Sequence, residues 1–153
     1  MMERRTLDFA RDYETLLNMQ RFSWKINFPT LQFNEISFRH SLRTAVHREE
    51  VYVYEVEDEL VGWLWLDLRT PDLGGHVRHI QVKKPFWGQG IGRAIMEDAI
   101  SLCVDRGCPH ITLNVTKANA RAVRLYRDLG FEPINDRGER MRMKLKLQGR
   151  EEP

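Results

Sequence analysis

The stretch Ile80-Gln81-Val82-Lys83-Lys84-Pro85-Phe86-Trp87-Gly88-Gln89-Gly90-Ile91-Gly92-Arg93-Ala94 restricts the fold more than any other part of this chain. A short apolar run of β-strand character enters a loop broken by Pro85. Glycines follow at three alternate positions, and helical periodicity begins directly behind them. Glycines let a main chain come close to an anion, and a helix start leaves its first N–H groups unpaired and pointing outward. The segment therefore reads either as a strand-to-helix turn that needs positive φ or as a phosphate cradle.

The flanking sequence sets this loop inside an α/β pattern. Glu3 to Asp8 reads as a short strand. Phe9 to Lys25 carries Phe9, Tyr13, Leu16, Leu17 and Met19 at helical steps, and Asn27-Phe28-Pro29-Thr30 breaks that helix. A second helix is expected over Glu35–His47, with Asn34 as N-cap and Ile36, Leu42 and Val46 inward. Val51–Glu57 and the continuous apolar run Leu60–Leu66 read as a hairpin, the second strand covered on both faces. His76–Val82 is the strand that feeds the glycine loop. Behind the loop, Ile91, Ile95, Ala99 and Leu102 mark a helix to about Arg106, with Gly107 as its left-handed cap. His110–Val115 is a strand and Asn119–Leu129 a short helix ended by Gly130. Phe131–Ile134 and Arg140–Leu147 are strands joined by the turn Asn135–Gly138. The expectation is one domain over residues 1–147, an α/β fold with a mixed, mostly antiparallel sheet flanked by helices, and a tail over 148–153.

Bulk properties narrow the function classes. The chain has 153 residues and a net charge of +2, too little to argue for a nucleic-acid partner by itself. No apolar run reaches the roughly 18 residues of a membrane span, and the charged N-terminus has no apolar stretch behind it. Cys103 and Cys108 do not make a disulfide scaffold or a metal site. A cytoplasmic protein with no metal, membrane or nucleic-acid partner is expected. Arg137, Arg140, Arg142, Lys144, Lys146 and Arg150 gather near the C-terminus at strand spacing, a pattern that a solvated edge strand explains.

Among phosphate ligands, a nucleoside triphosphate needs Lys-Ser or Lys-Thr after the last glycine, and Arg93-Ala94 stands there. A dinucleotide turn needs G-x-G-x-x-G directly after the strand and an acid about 20 residues on, and neither is present. The stretch instead resembles the coenzyme A pyrophosphate loop of the Gcn5-related N-acetyltransferase superfamily, [Gln/Arg]-x-x-Gly-x-[Gly/Ala] behind a strand ending in an apolar-x-Val pattern. Ile80-Gln81-Val82 supplies the strand end, and Gly90 and Gly92 the glycines; Trp87 replaces the usual Gln or Arg. A second block, Asn114-Val115 followed by Asn119, Ala122, Leu125-Tyr126 and Leu129-Gly130-Phe131, is similar to that superfamily's strand–helix motif ending in Tyr…Gly-Phe.

The resemblance implies an acetyl-CoA-dependent N-acetyltransferase that acts by direct transfer to an amine acceptor, with a homodimer left open. It implies pyrophosphate binding by the backbone N–H groups of Gly88, Gln89, Gly90, Ile91, Gly92 and Arg93. The strand end Ile80, Gln81 and Val82 would run beside the pantetheine arm, paired with it through the backbone of Ile80 and Val82. By the same resemblance Asn119, a helix cap, also contacts the coenzyme, and Tyr126 would be the acid that protonates the leaving thiolate. His76 falls where histone-modifying members carry a catalytic Glu. Strand parity puts Arg78 on the same face as His76 and His79 on the opposite one, unless a β-bulge changes the phase. His76 and His79 are the candidate bases. A non-catalytic acyl-CoA-binding module is the alternative function, and an interaction domain with a vacant loop a third. The front aromatics Phe22, Trp24, Phe28, Phe33 and Phe38 are core or acceptor-pocket lining.

Overall fold

The computed structural model describes residues 1–147; the expected tail over 148–153 lies outside the described residues. Among the described residues seven strands form one sheet: β1 (Met2–Thr6), β2 (Glu50–Val56), β3 (Glu59–Asp67), β4 (Gly75–Val82), β5 (His110–Thr116), β6 (Glu132–Arg137) and β7 (Arg140–Lys146). The α-helices among the described residues are α1 (Phe9–Asn27), α2 (Glu35–Ala45), α3 (Ile91–Asp105) and α4 (Ala120–Asp128). In space the strands run β1-β2-β3-β4-β5-β7-β6. Every neighbouring pair is antiparallel except β4 with β5, so the sheet is the mixed, mostly antiparallel one expected.

β3 organises both cores. Every residue from Leu60 to Leu66 is buried. Val61, Leu64 and Leu66 join the core beneath α3 and α4, while Leu60, Trp63 and Trp65 join the one beneath α1 and α2. Each large apolar side chain withdrawn in this way stabilises the fold by about 1.5–3 kcal/mol. Glu57 and Asp58 both take positive φ, 51° and 66°, which makes the β2–β3 link a two-residue hairpin turn whose twist suits the strands. Asp8 and Asn34 cap α1 and α2 by accepting from the N–H groups of Arg11 and Ser37.

Three expectations change. Ile36 is 83% exposed, and Phe38, Leu42 and Ala45 form the buried stripe of α2; Ile36 lies about 200° around the helix from Phe38, on the solvent side. β6 continues through Asn135–Arg137, which pair with β7 after a register shift, so the turn falls later, at Gly138-Glu139. β7, read as a solvated edge, lies between β5 and β6. The edge is β6, exposed along its whole length and carrying Pro133.

Candidate functional site

The site begins where two parallel strands part. β4 and β5 pair only at Gly75–Ile111, His76–Thr112 and Val77–Leu113. Beyond Val77, β4 is laddered to β3 alone. The Lys83 N–H donates to the Val61 carbonyl at 2.8 Å, which fixes the alternation: Gln81 and His79 exchange hydrogen bonds with Trp63 and Trp65. Ile80 and Val82 are the intervening residues, so their N–H and C=O groups face away from β3, into the gap. An extended polar ligand would meet them there as it meets a sheet edge.

This gap opens into a cleft of about 810 Å³, walled by α1, the end of β4, the glycine loop and the start of α4. Gly90 is the N-cap of α3 at φ 80°, in the left-handed region, and no side chain caps the helix. The first helical bond is Ala94 N–H to Gly90 C=O. Among the described residues, no backbone N–H from Gly88 to Arg93 has a protein acceptor. Six donors in a row at a helix N-terminus, with open space where a Cβ of Gly88 or Gly90 would stand, fit a pyrophosphate. Arg93 is exposed and lies 3.6 Å from Glu97, and Lys83 lies 4.0 Å from Glu59.

Trp87, the departure from the family pattern, is tied to the strand. Its indole N–H donates to the Val82 carbonyl at 2.8 Å. The Arg121 guanidinium lies 4.2 Å above its ring and Phe22 packs at 6.0 Å. Trp87 is thus a strut that fixes the loop to β4. Of the backbone groups turned toward the gap, the Val82 carbonyl is thus already engaged. Gln81 lines the cleft with its side chain spent, accepting from Trp63 Nε1 (2.7 Å) and donating to Gln20 (2.6 Å).

On the α4 wall stands Tyr126. The helix ends in a Schellman cap: Phe131 N–H bonds the Tyr126 carbonyl at 2.9 Å and Gly130 N–H the Arg127 carbonyl at 3.0 Å, with Gly130 at φ 102°. The Phe131 ring sits 5.9 Å from that of Tyr126. The Gly-Phe pair therefore pins the tyrosine. Its hydroxyl makes no hydrogen bond to a described residue, and burial alone pushes its pKa up to about 12. Asn119 caps α4, accepting from Ala122 N–H (3.3 Å), and reaches Asn27 of α1 at 3.4 Å across the rim of the cleft.

The two histidines share a face. Register shifts between Trp65–His79 and Leu66–Val77, which makes Arg78 the extra residue of a β-bulge. Val77 thereby turns to the α3 core, and His76 comes to the same side as His79. The His76 Nδ1 lies 2.8 Å from Thr112 Oγ1, which is in turn 3.4 Å from the Gly75 carbonyl oxygen. The tautomer with Nδ1–H donates to Thr112 Oγ1 and leaves Nε2 as the acceptor; the other tautomer accepts from the Thr112 hydroxyl at Nδ1. His79 stacks on Trp63 (5.4 Å) and lies tilted against Trp65 (5.2 Å), with Phe38 edge-on (6.3 Å). Burial, with Arg142 and Arg78 nearby, pushes His76 down to about 4; burial, with Arg78 and Arg140, does the same to His79. Arg78 itself is held by Glu49 (2.7 Å) and Asp67 (3.1 Å).

Of the α1 wall the sequence expectations name only Phe22, as core or acceptor-pocket lining, although Asn18, Phe22 and Ile26 repeat at helical spacing on one side of that helix. Arg121 carries no sequence signal; only the fold sets it against Trp87. Cys103 and Cys108 are buried, and burial raises the Cys103 thiol to about 12. The described residues contain no cluster of three or more side chains suited to a metal ion and no helix long and apolar enough to cross a membrane.

A sequence model of the acetyltransferase (GNAT) family matches residues 13–131. The mycothiol acetyltransferase of Jonesia denitrificans is 29% identical over 134 residues, covering 85% of this chain and 43% of that protein. The streptothricin acetyltransferase of Streptomyces lavendulae is 40% identical over 55 residues, covering 36% of this chain and 29% of that protein. The chain thus spans less than half the length of these curated relatives. Among solved structures, the PaiA N-acetyltransferase of Thermoplasma acidophilum in complex with coenzyme A superimposes with a TM-score of 0.81 at 20% identity, over 96% of this chain and 99% of that one.

Proposed function

Because the chain belongs to the acetyltransferase (GNAT) family, we propose that it transfers an acetyl group from acetyl-coenzyme A to a primary amine, by direct attack within a ternary complex. The observation that supports this reading is that two features line one cleft: a row of unpaired N–H groups at residues 88–93 and a partnerless, protonated phenol at Tyr126. Neither a mere turn nor a packing tyrosine accounts for both.

The backbone N–H groups from Gly88 to Arg93 would hold the pyrophosphate, and the N–H and C=O of Ile80 with the N–H of Val82 would hold the pantetheine arm. Asn119 completes the rim. Bound acetyl-CoA supplies an acyl group activated as a thioester. Tyr126 keeps its proton at neutral pH and gives it to the departing sulfur. The neutral imidazole of His76, in the tautomer with Nε2 as acceptor, or that of His79 takes the proton from the attacking amine. Direct attack is favoured over a covalent acyl-enzyme because the Cys103 thiol is held protonated inside the core. The named relatives modify different acceptors, so the acceptor does not follow from kinship.

Titration with coenzyme A, followed by tryptophan fluorescence, tests the donor site, since Trp87 stands in the loop. Acetyl-CoA with a panel of amines, followed by thiol release, tests transfer. We expect saturable quenching and amine-dependent thiol release. Absence of coenzyme A binding would refute the reading. Binding without release for every amine would favour the acyl-CoA-binding module instead.

A further inference from the structure

β7 is an interior strand whose outward residues form a cationic shelf. Arg140, Arg142 and Lys144 alternate with the buried Met141, Met143 and Leu145, so all three stand on the face away from α3. The core beneath α1 and α2 takes no residue from β5, β6 or β7. On β5 the same face carries Thr112 and Asn114, next to His76. The Arg142 Nε donates to Asn114 Oδ1 at 3.2 Å, and an Arg140 Nη donates to the Asn114 carbonyl at 3.4 Å. The Arg140 guanidinium lies 5.0 Å above the Phe28 ring, and its Nε is buried without a hydrogen-bond partner.

Among the described residues, no carboxylate oxygen comes within 4 Å of either guanidinium. Among the described residues, the other arginines without a carboxylate partner, such as Arg39, Arg43, Arg121 and Arg127, are exposed, whereas Arg5, half-buried like Arg140 and Arg142, is paired. Arg78 is paired with Glu49 and Asp67, Arg5 with Asp12 and Glu55, and Arg4 with Asp98. A half-buried guanidinium without an anion is costly, and its planar fork matches a carboxylate in two-point contact. The shelf also adjoins the cleft: Phe28 follows Asn27, which lines the cleft and meets Asn119.

We propose that Arg140 and Arg142 bind a carboxylate carried by the amine acceptor, so that the preferred acceptors are amino acids or peptide amines with a neighbouring acidic side chain. This deepens, and rests on, the acetyl-transfer reading. The amine end of such a molecule would lie toward His76 and the broken edge of β4, while its carboxylate stays on β7.

The test uses acetylated, product-like probes and the full chain saturated with coenzyme A. N-acetylglycine, the α-amide of N-acetylglutamate and the neutral N-acetylglycinamide are titrated while the arginine Nε–H resonances are followed in 15N spectra. We expect one or both carboxylates to bind at least tenfold more tightly than the neutral amide, and to shift Arg140 and Arg142 signals. Preference for N-acetylglycine indicates a free amino acid, and preference for the glutamate amide an acidic peptide. Arg142→Gln should reduce carboxylate binding to the level of the amide, with Arg142→Lys keeping part of it; Arg140→Gln should act like Arg142→Gln. Equal binding of all three probes, or unchanged carboxylate affinity in folded Arg142→Gln and Arg140→Gln, would overturn the proposal. Binding of coenzyme A is measured separately, and the probes can also be titrated without it. A failure of the donor site is therefore distinct from a failure of the shelf.

Discussion

Replacing Tyr126 by Phe removes one oxygen from a side chain that is 8% exposed and leaves the rest of the ring in place. The hydroxyl has no protein partner, so its loss orphans no buried group, and the Schellman cap and Phe131 contact that hold the ring stay intact. Stability should move by no more than about 0.5 kcal/mol, a shift of roughly 2 °C or less in melting temperature for a chain of this size. Coenzyme A affinity should hold within about twofold, because the donor cradle is backbone at residues 88–93. The chemical step loses its acid, and turnover should fall by about 10²–10⁴. The phenol suits this role, since a pKa raised from 10 to about 12 corresponds to about 2.7 kcal/mol in favour of the protonated form. The stability associated with that shift is fully present below pH 10 and is lost as pH rises through about 12. Turnover and KM for both substrates, measured by thiol release beside a melting curve, decide the matter. A variant with turnover within twofold of the parent, or one whose coenzyme affinity falls in step with turnover, would take the acid role from Tyr126.

Gly90→Ala should cost about 1–2 kcal/mol in strain at φ 80°, and should weaken coenzyme A binding at least tenfold as the loop relaxes and turns its N–H groups. Gly107→Ala, at φ 75° and equally open to solvent on its Cβ side, is the matched control: calorimetry should find the same loss of stability with coenzyme binding unchanged. Should His76 or His79 be the base, kcat/KM will fall with acid near pH 4 rather than 6.5, because burial and neighbouring arginines depress both groups. The Ala variant of the responsible histidine will lose that limb, and a persisting limb clears the residue changed. With folded values below the unfolded 6.5, the histidines' contribution to stability is complete above pH 6.5 and is lost as pH falls through about 4; urea titrations across that interval should show it.

The parts legible in sequence are those set by short-range rules. The glycine loop, the caps at Asn34 and Asn119, the Leu60–Leu66 run and the Gly130 stop each depend on residues within a few positions of one another. What is not legible depends on partners distant in the chain. Strand parity gives no sign that β4 carries an extra residue, because a bulge is defined by the register against β3 and not by β4 alone. The basic spacing in Arg140–Lys146 is visible in sequence, yet its meaning changes once β6 proves to be the edge and β7 an interior strand. The exposure of Ile36 follows from the phase of α2, which is set by where Phe38 and Leu42 meet β2 and β3. The α1 wall of the cleft follows from how that helix lies over the gap, a tertiary fact.

The bulge at Arg78 also ties the two halves of the site together. It falls directly after the last residue of β4 that pairs with β5, and an inserted residue increases local twist and bends its strand. A β4 without it would continue along β5, cover the backbone groups of Ile80 and Val82, and send His76 to the face of Ile80. With it, Ile80 and Val82 pack their side chains toward α3, while His76 and His79 lie on the opposite face beside Arg142 and Trp63. The free backbone of the parted strand is then the element that borders both sides, with the donor cradle at its C-terminal end and the cationic shelf beyond its pairing with β5. On this reading an acyl group held along that edge is open to an amine arriving from the histidine face, and Tyr126 reaches the leaving sulfur from the α4 wall. The proposed acid, Tyr126 in the core beneath α3, and the proposed bases therefore lie on opposite faces of one sheet, on either side of the free edge of β4.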